Sequence, residues 1–259
     1  MLVPNAVKIQ TLLMDRPIAS GSFDAPDLLR ATLAVIDLDA VNSPANDAAL
    51  IRSYFHPREM DRRERFEHMR RKDSYTAGRL AAKLALKHHC PSLDIQKISV
   101  ENGVFDQPIL LADSSASDVA QLGISISHSD SYAVALIFHR AHPMGVDIDL
   151  PTQQDIAPVL SGLDEKTQRR FADLGLSDVA CASLIWTARE SLAKALTTGM
   201  MTPLALYCSS NITRQGNCFV LHYENFAQYK THVRPGKKGW LALTMPARTD
   251  MKTADPDWE

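Results

Sequence analysis

Cysteine is scarce in this 259-residue chain. There are four, at positions 90, 181, 208 and 218, and no two stand in Cys-x-x-Cys spacing. That favours reduced core residues over disulfides or thiolate zinc ligands, which suits a cytoplasmic protein. No apolar run approaches the ~20 residues a membrane span needs. Met1 to Arg16 holds no basic segment followed by an apolar core and a small-residue cleavage site, so no signal peptide is expected. The net charge is only −2, so no whole-molecule field argues for nucleic acid. No repeat of 20 to 50 residues is present. What remains is 45% hydrophobic and 22% charged, a globular composition with material for one large or two modest domains.

Within that composition, Gly145-Val146-Asp147-Ile148-Asp149-Leu150 places two carboxylates two residues apart in an apolar run. On a strand, residues i and i+2 share a face, so Asp147 and Asp149 project together. Two like charges on one face repel unless something positive joins them. An oxygen-bound divalent cation is one such partner. The plainer alternative is a strand whose polar face meets water.

Some forty residues on, Trp186 to Leu196 reads as helix, rich in Ala and Leu and ended by Gly199. Glu190 and Lys194 are i and i+4 and share its face. They are either an exposed ion pair or, respectively, a third carboxylate for the cation and a counter-charge for an anion it touches.

Upstream, Phe55 to about His89 reads as one helical, charge-rich stretch. Between Arg58 and Lys87 there are ten Lys or Arg and five Asp or Glu, a local balance of +5. Such a helix is either a solvated face or a phosphate-holding surface, with Arg suited to bidentate contacts. Ser127-His128-Ser129 closes a strand with two hydroxyls and an imidazole, all able to bond phosphate oxygens or, alternatively, local backbone.

Taken in order, Ser-His-Ser, then Gly-Val-Asp-Ile-Asp, then Trp-x-x-Arg-Glu-Ser-x-x-Lys-Ala resembles the paired signature of the 4′-phosphopantetheinyl transferases. The likeness is to their larger, monomeric class, which serves peptide, polyketide and siderophore synthetases. Asp149 stands where that family more often has Glu, and Arg189 where it more often has Lys. Gln107-Pro108 occupies the place of its Gly-Lys-Pro turn. Arg65-Phe66 and Gly78-Arg79 match its arginine-rich helix.

The resemblance implies an α+β fold of two similar lobes related by a pseudo-two-fold, each a small, mostly antiparallel sheet with packed helices. The N-terminal lobe would be 1–140, the C-terminal lobe 141–259, with the site in the cleft between. It implies Mg²⁺ (or Mn²⁺) held by Asp147, Asp149 and Glu190, with Glu190, Lys194 and Asp147 catalytic. Arg71, Lys72, Arg79, Gln107, Pro108, Ser127 and His128 would hold the nucleotide end of coenzyme A. The reaction implied moves phosphopantetheine from coenzyme A to a serine of an acyl, peptidyl or aryl carrier protein, releasing adenosine 3′,5′-bisphosphate. A degenerate homologue that binds coenzyme A or carrier without turnover is the alternative. A phosphohydrolase would need ligands for a second metal, and no such cluster is evident. No nucleic-acid partner and a monomer are expected.

The coarser structural expectations follow from turn residues and alternation. Residues 1 to about 32 are expected to be irregular, with a strand at 32–38 and a loop at 42–47. Strands are expected at 98–100, 132–138, 145–150, 218–223, 229–233 and 240–244. The turn at 139–144 predicts an antiparallel hairpin between the strands at Tyr132 and Gly145. Two helices are expected at about 156–160 and 164–174, and 247–259 is expected to fray.

Overall fold

The computed structural model describes residues 6–15, 29–40, 48–113, 117–150, 153–163, 165–253 and 258. The expected loop at 42–47, and the parts of the expected irregular and frayed ends at 1–5, 16–28, 254–257 and 259, lie outside them.

The first half contains β1 (Val7–Asp15), β2 (Arg30–Asp37), α1 (Ala48–Tyr54), α2 (Pro57–Glu64), α3 (Met69–His89), β3 (Ile98–Asn102), β4 (Pro108–Ala112), α4 (Ser117–Ala120), β5 (Leu122–His128) and β6 (Tyr132–His139). The second contains β7 (Gly145–Asp149), α5 (Gln153–Ser161), α6 (Glu165–Ala172), α7 (Asp178–Leu196), β8 (Ser209–Gln215), β9 (Cys218–Tyr223), β10 (Tyr229–Pro235), β11 (Trp240–Pro246) and β12 (Asp250–Met251). The class is α+β. One antiparallel sheet runs β12-β1-β2-β6-β5, a second runs β7-β11-β10-β9-β8, and β3 and β4 form a ribbon.

Alternation along the strands builds the layers. In β2, Ala34 and Ile36 pack under α3 with Ala77, Leu80, Ala81 and Leu84. Their neighbours Leu33 and Val35 face the other way, against Val146, Ile148, Leu241 and Leu243 of the second sheet. The far face of that sheet carries Phe219, Leu221, Val233 and Ala242 and meets α7 through Ala188, Leu192 and Ala195. Helix, sheet, sheet and helix therefore stack in four layers. Strands buried on both faces need continuous apolar runs, as β2 and β6 show.

Four expectations are corrected. Residues 7–15 are not irregular: β1 pairs along its length with β2, Val7 opposite Ile36 and Leu13 opposite Arg30. The stretch 55–89 is not one helix. It breaks after Arg65, where the N–H groups of Arg65 and Phe66 turn back to the carbonyls of Arg62 and Arg63, and restarts from an extended His68. The strands at Tyr132 and Gly145 do not form a hairpin. Both edges of β6 are already occupied, by β2 and β5, so β7 crosses to the second sheet and pairs with β11. Segment 247–253 is ordered: β12 adds to β1, and Trp258 is buried edge-on against Tyr132 at 5.3 Å.

A buried ion pair ties the β3–β4 ribbon to α3. Lys83 Nζ lies 2.9 Å from Glu59 Oε2, both side chains fully buried. Glu59 also accepts from the N–H groups of His56 and Val100, and Lys83 donates to the carbonyls of Ile95 and Ile98. Every charge in this pair is met, the condition under which burying it is tolerable.

Candidate active site

α7 begins at Ser177, whose hydroxyl accepts from the N–H of Ala180, and ends with Thr197 in the left-handed region at φ 56°. The expected terminator Gly199 lies two residues further on. α7 lies directly across β7. A Cβ built on Gly145 would stand 2.1 Å from the carbonyl oxygen of Ser191, so glycine is what permits the approach. Ser191 Oγ donates to the carbonyl of Gly145 and accepts from Thr244, which adjoins Thr231 and then Tyr223. This buried row of hydroxyls fixes the rotation of α7 on the sheet.

With that rotation set, Trp186, Glu190 and Lys194, each one turn after the last, face the carboxylates of β7. They form one wall of a cleft of about 830 Å³. The opposite wall is a stripe of α3 made of Arg71, Ser74, Tyr75, Gly78 and Arg79. Asn102 and Pro108 of the ribbon extend it, and Ser127 and His128 lie at the end of β5.

Asp147 is buried at 3% exposure. Its Oδ1 accepts from Ser127 Oγ at 2.7 Å and from Lys194 Nζ at 2.6 Å, while Oδ2 has no partner. Lys194 thus meets the carboxylate across the cleft and not Glu190 along its own helix. Asp149 Oδ1 accepts from the N–H of Leu150. Burial, reinforced by Asp147, pushes the Asp149 carboxyl above its usual range. Burial does the same to Glu190; Asp147 and Asp149 add to the rise and Lys194 opposes it. Such crowded carboxylates are an electrostatic sink for a cation. His128 is open to solvent at the cleft's edge, but the surrounding walls and then Lys194 lower its affinity for a proton.

The residues expected to hold the nucleotide end divide. Arg71 lies 5.5 Å over the Phe66 ring and Arg79 4.8 Å over Tyr75, with Arg79 Nη2 donating to Asn102 Oδ1. Both line the cleft, with Pro108, Ser127 and His128. Lys72 does not: it points to Glu64 at 2.6 Å. At about 100° per residue position 72 lies about 20° beyond Arg79, so the turn of its ammonium to Glu64, more than helical phase, takes it out of the lining. Gln107 also stays outside, its Oε1 accepting from the N–H of Phe105 and closing its own turn. Tyr75 and Ser74 were legible from the same stripe. Arg62 and Phe66 also line the cleft, and no spacing signal marks them because the helix break intervenes.

Among the described residues no three His, Cys, Asp or Glu side chains converge on a ready-made metal point. The donors are nonetheless of the right chemistry. Asp147 Oδ2 is a buried oxygen lacking a partner, and Asp149 and Glu190 offer further carboxylates to the same cleft. An all-oxygen set suits Mg²⁺ or Mn²⁺.

No family model and no curated protein matches this sequence. Among solved structures, the chain is similar to a holo-(acyl-carrier-protein) synthase from Bacillus anthracis str. Ames, solved in complex with CoA (3′,5′-ADP). That likeness has 22% identity and a TM-score of 0.33, and covers 40% of this chain and 90% of the other. A holo-ACP-synthase from Plasmodium yoelii is 16% identical, with a TM-score of 0.34, over 51% of this chain and 94% of the other. Likeness at this level is loose. No helix among the described residues is long and apolar enough to cross a membrane.

Proposed function

We propose that this protein transfers the 4′-phosphopantetheine group of coenzyme A to a serine hydroxyl of an acyl, peptidyl or aryl carrier protein. One observation carries the reading. Three motifs far apart in sequence, at 127–128, 147–149 and 186–194, meet in one cleft, facing the arginine stripe of α3. A diphosphate with a nucleotide on one side and a thiol arm on the other needs that division of charge.

In this scheme Arg71, Arg79 and His128 hold the phosphates of the nucleotide half. Pro108 packs beside it, while Lys72 and Gln107 take no part. The serine oxygen bonds to the β-phosphorus as the bond to the bridging oxygen breaks. The electron pair leaves on adenosine 3′,5′-bisphosphate. Glu190 takes the serine proton; its raised proton affinity suits a base. Lys194 shifts from Asp147 to the phosphate oxygens as charge builds there. Ser127 holds Asp147 Oδ1 and leaves Oδ2 available as a cation ligand. A Mg²⁺ or Mn²⁺ bound by Asp147, Asp149 and Glu190 would offset charge on the phosphate oxygens. All of these groups lie on one chain, which fits action as a monomer.

The test is to mix protein, Mg²⁺, coenzyme A and an apo carrier domain and weigh the carrier. A gain of one phosphopantetheine, with release of adenosine 3′,5′-bisphosphate, is expected. Bound but unchanged coenzyme A would show a binding module instead. Coenzyme A cleaved without carrier gain would show a hydrolase.

A further inference from the structure

Arg189 precedes Glu190 on α7 and points the other way, into the second core. It is 2% exposed and is one of the largest fully buried side chains. Its Nε and Nη1 have no hydrogen-bond partner. The groups acting on its charge among the described residues are Cys208 and Tyr223, and burial keeps the Tyr223 phenol neutral by raising it far above its usual range. No carboxylate acts on it there. A guanidinium cannot escape this by losing its proton. A buried cation lacking a counter-charge is strongly unfavourable.

Beside Arg189 is a small cavity with room for little more than one water-sized particle. Ser209 borders it, and Ser209 Oγ is also buried and without a partner. Phe171 and Leu221 supply apolar wall. An uncompensated guanidinium and an unpartnered hydroxyl, both able to donate, thus share one small space.

We propose that this cavity binds a monovalent anion of chloride size, held by Arg189 and Ser209 beneath α7. Water would satisfy the donors but leave the charge, and a phosphate or carboxylate ligand exceeds the space. The anion would act as a structural ligand of the helix that carries Glu190 and Lys194, a role independent of the transfer reaction.

The whole protein should be melted at fixed ionic strength in potassium gluconate, chloride and bromide, gluconate being too large for the cavity. Chloride and bromide should raise the melting temperature over gluconate by roughly 2–4 °C, saturating with concentration. Arg189→Met should abolish the difference. Ser209→Ala should raise the half-saturating halide concentration several-fold, and this variant serves if Arg189→Met does not fold. Crystals soaked in bromide should show an anomalous peak in the cavity. A wild-type protein indifferent to halide, or a cavity without bromide, would overturn the proposal. So would a Cys208 that alkylates as a thiolate below neutral pH, since it would supply the counter-charge internally.

Discussion

Lys194 Nζ and Ser127 Oγ both contact Oδ1 of Asp147, at 2.6 and 2.7 Å, and leave the buried Oδ2 of the same carboxylate without a partner. The residues come from α7, β5 and β7, so this one side chain joins the two sheets and the helix.

Asp147→Asn keeps the shape of the side chain and removes the charge. Carrier modification should fall by about a hundredfold or more, while the far-ultraviolet spectrum stays unchanged. Near wild-type turnover in a folded variant would remove Asp147 from the reaction. Lys194→Ala should also cut turnover and, in addition, lower the melting temperature. It strips a buried carboxylate of its cation, a larger effect than the ~0.3–0.5 kcal/mol of an exposed helical pair.

The two arginines and the lysine on α3 should separate kinetically. Arg71→Ala and Arg79→Ala should raise the Michaelis constant for coenzyme A more than they lower turnover. Lys72→Ala should leave both nearly unchanged, because its ammonium is turned to Glu64 outside the cleft. Titration calorimetry with coenzyme A gives the same comparison directly. Equal losses at 71, 72 and 79 would mean that the cleft is not where the nucleotide sits.

Two glycines should respond oppositely to alanine. Gly145→Ala drives a methyl to 2.1 Å from the backbone of Ser191 and should cost about 3 kcal/mol in urea unfolding. At Gly78 the added carbon meets only Ile126 Cγ2, at 3.2 Å, and alanine favours the helix by up to ~1 kcal/mol. Gly78→Ala should therefore fall within about 1 kcal/mol of wild type.

Without divalent metal, Glu190 weakens the fold at neutral pH. Its carboxyl binds protons more tightly folded than unfolded, so its stabilising contribution is full below the ordinary value of 4.5 and is lost as pH rises through the raised folded value. Glu190→Gln, melted in chelator, should be more stable than wild type at pH 7. The gap should close toward pH 4, while turnover at pH 7 collapses. A variant less stable at pH 7 would show that Glu190 is satisfied by local contacts.

The cleft wall on α7 was readable because period and chemistry agree there. Trp186, Glu190 and Lys194 repeat every four residues, and Asp147 and Asp149 alternate with Val146 and Ile148, which the structure places between the sheets. Most strands follow from similar runs, whereas the α+β class came from the family resemblance. The pairing of β7 was not readable, since the short turn at 139–144 favours a hairpin and only the occupied edges of β6 forbid it. Nor was the break at 65–68, where no proline or glycine stands and Phe66 instead turns to stack on Tyr75 at 5.2 Å. β1 does carry the period of a strand, Val7, Ile9 and Thr11 alternating with Lys8 and Gln10, and the prolines at 4, 17 and 26 that favour an irregular chain flank it without interrupting it. Lys72 shows that a charge cluster does not reveal which of its members a neighbouring carboxylate holds, here Glu64.

β12 sets the order in which this protein can be finished on the ribosome. Met14 and Asp15 emerge early, but their partners Met251 and Asp250, and Lys252, which reaches Asp15 at 3.0 Å, emerge only after nearly all the rest of the described chain. Until then residues 13–15 of β1, the part of its outer edge that β12 covers, lack those partners and can pair astray. The sheet begun first therefore closes last, through contacts of the greatest sequence separation and the slowest kind to form. Nascent chains arrested before residue 250 should be captured by chaperones, or cut by protease near residues 13–15, far more readily than the released protein.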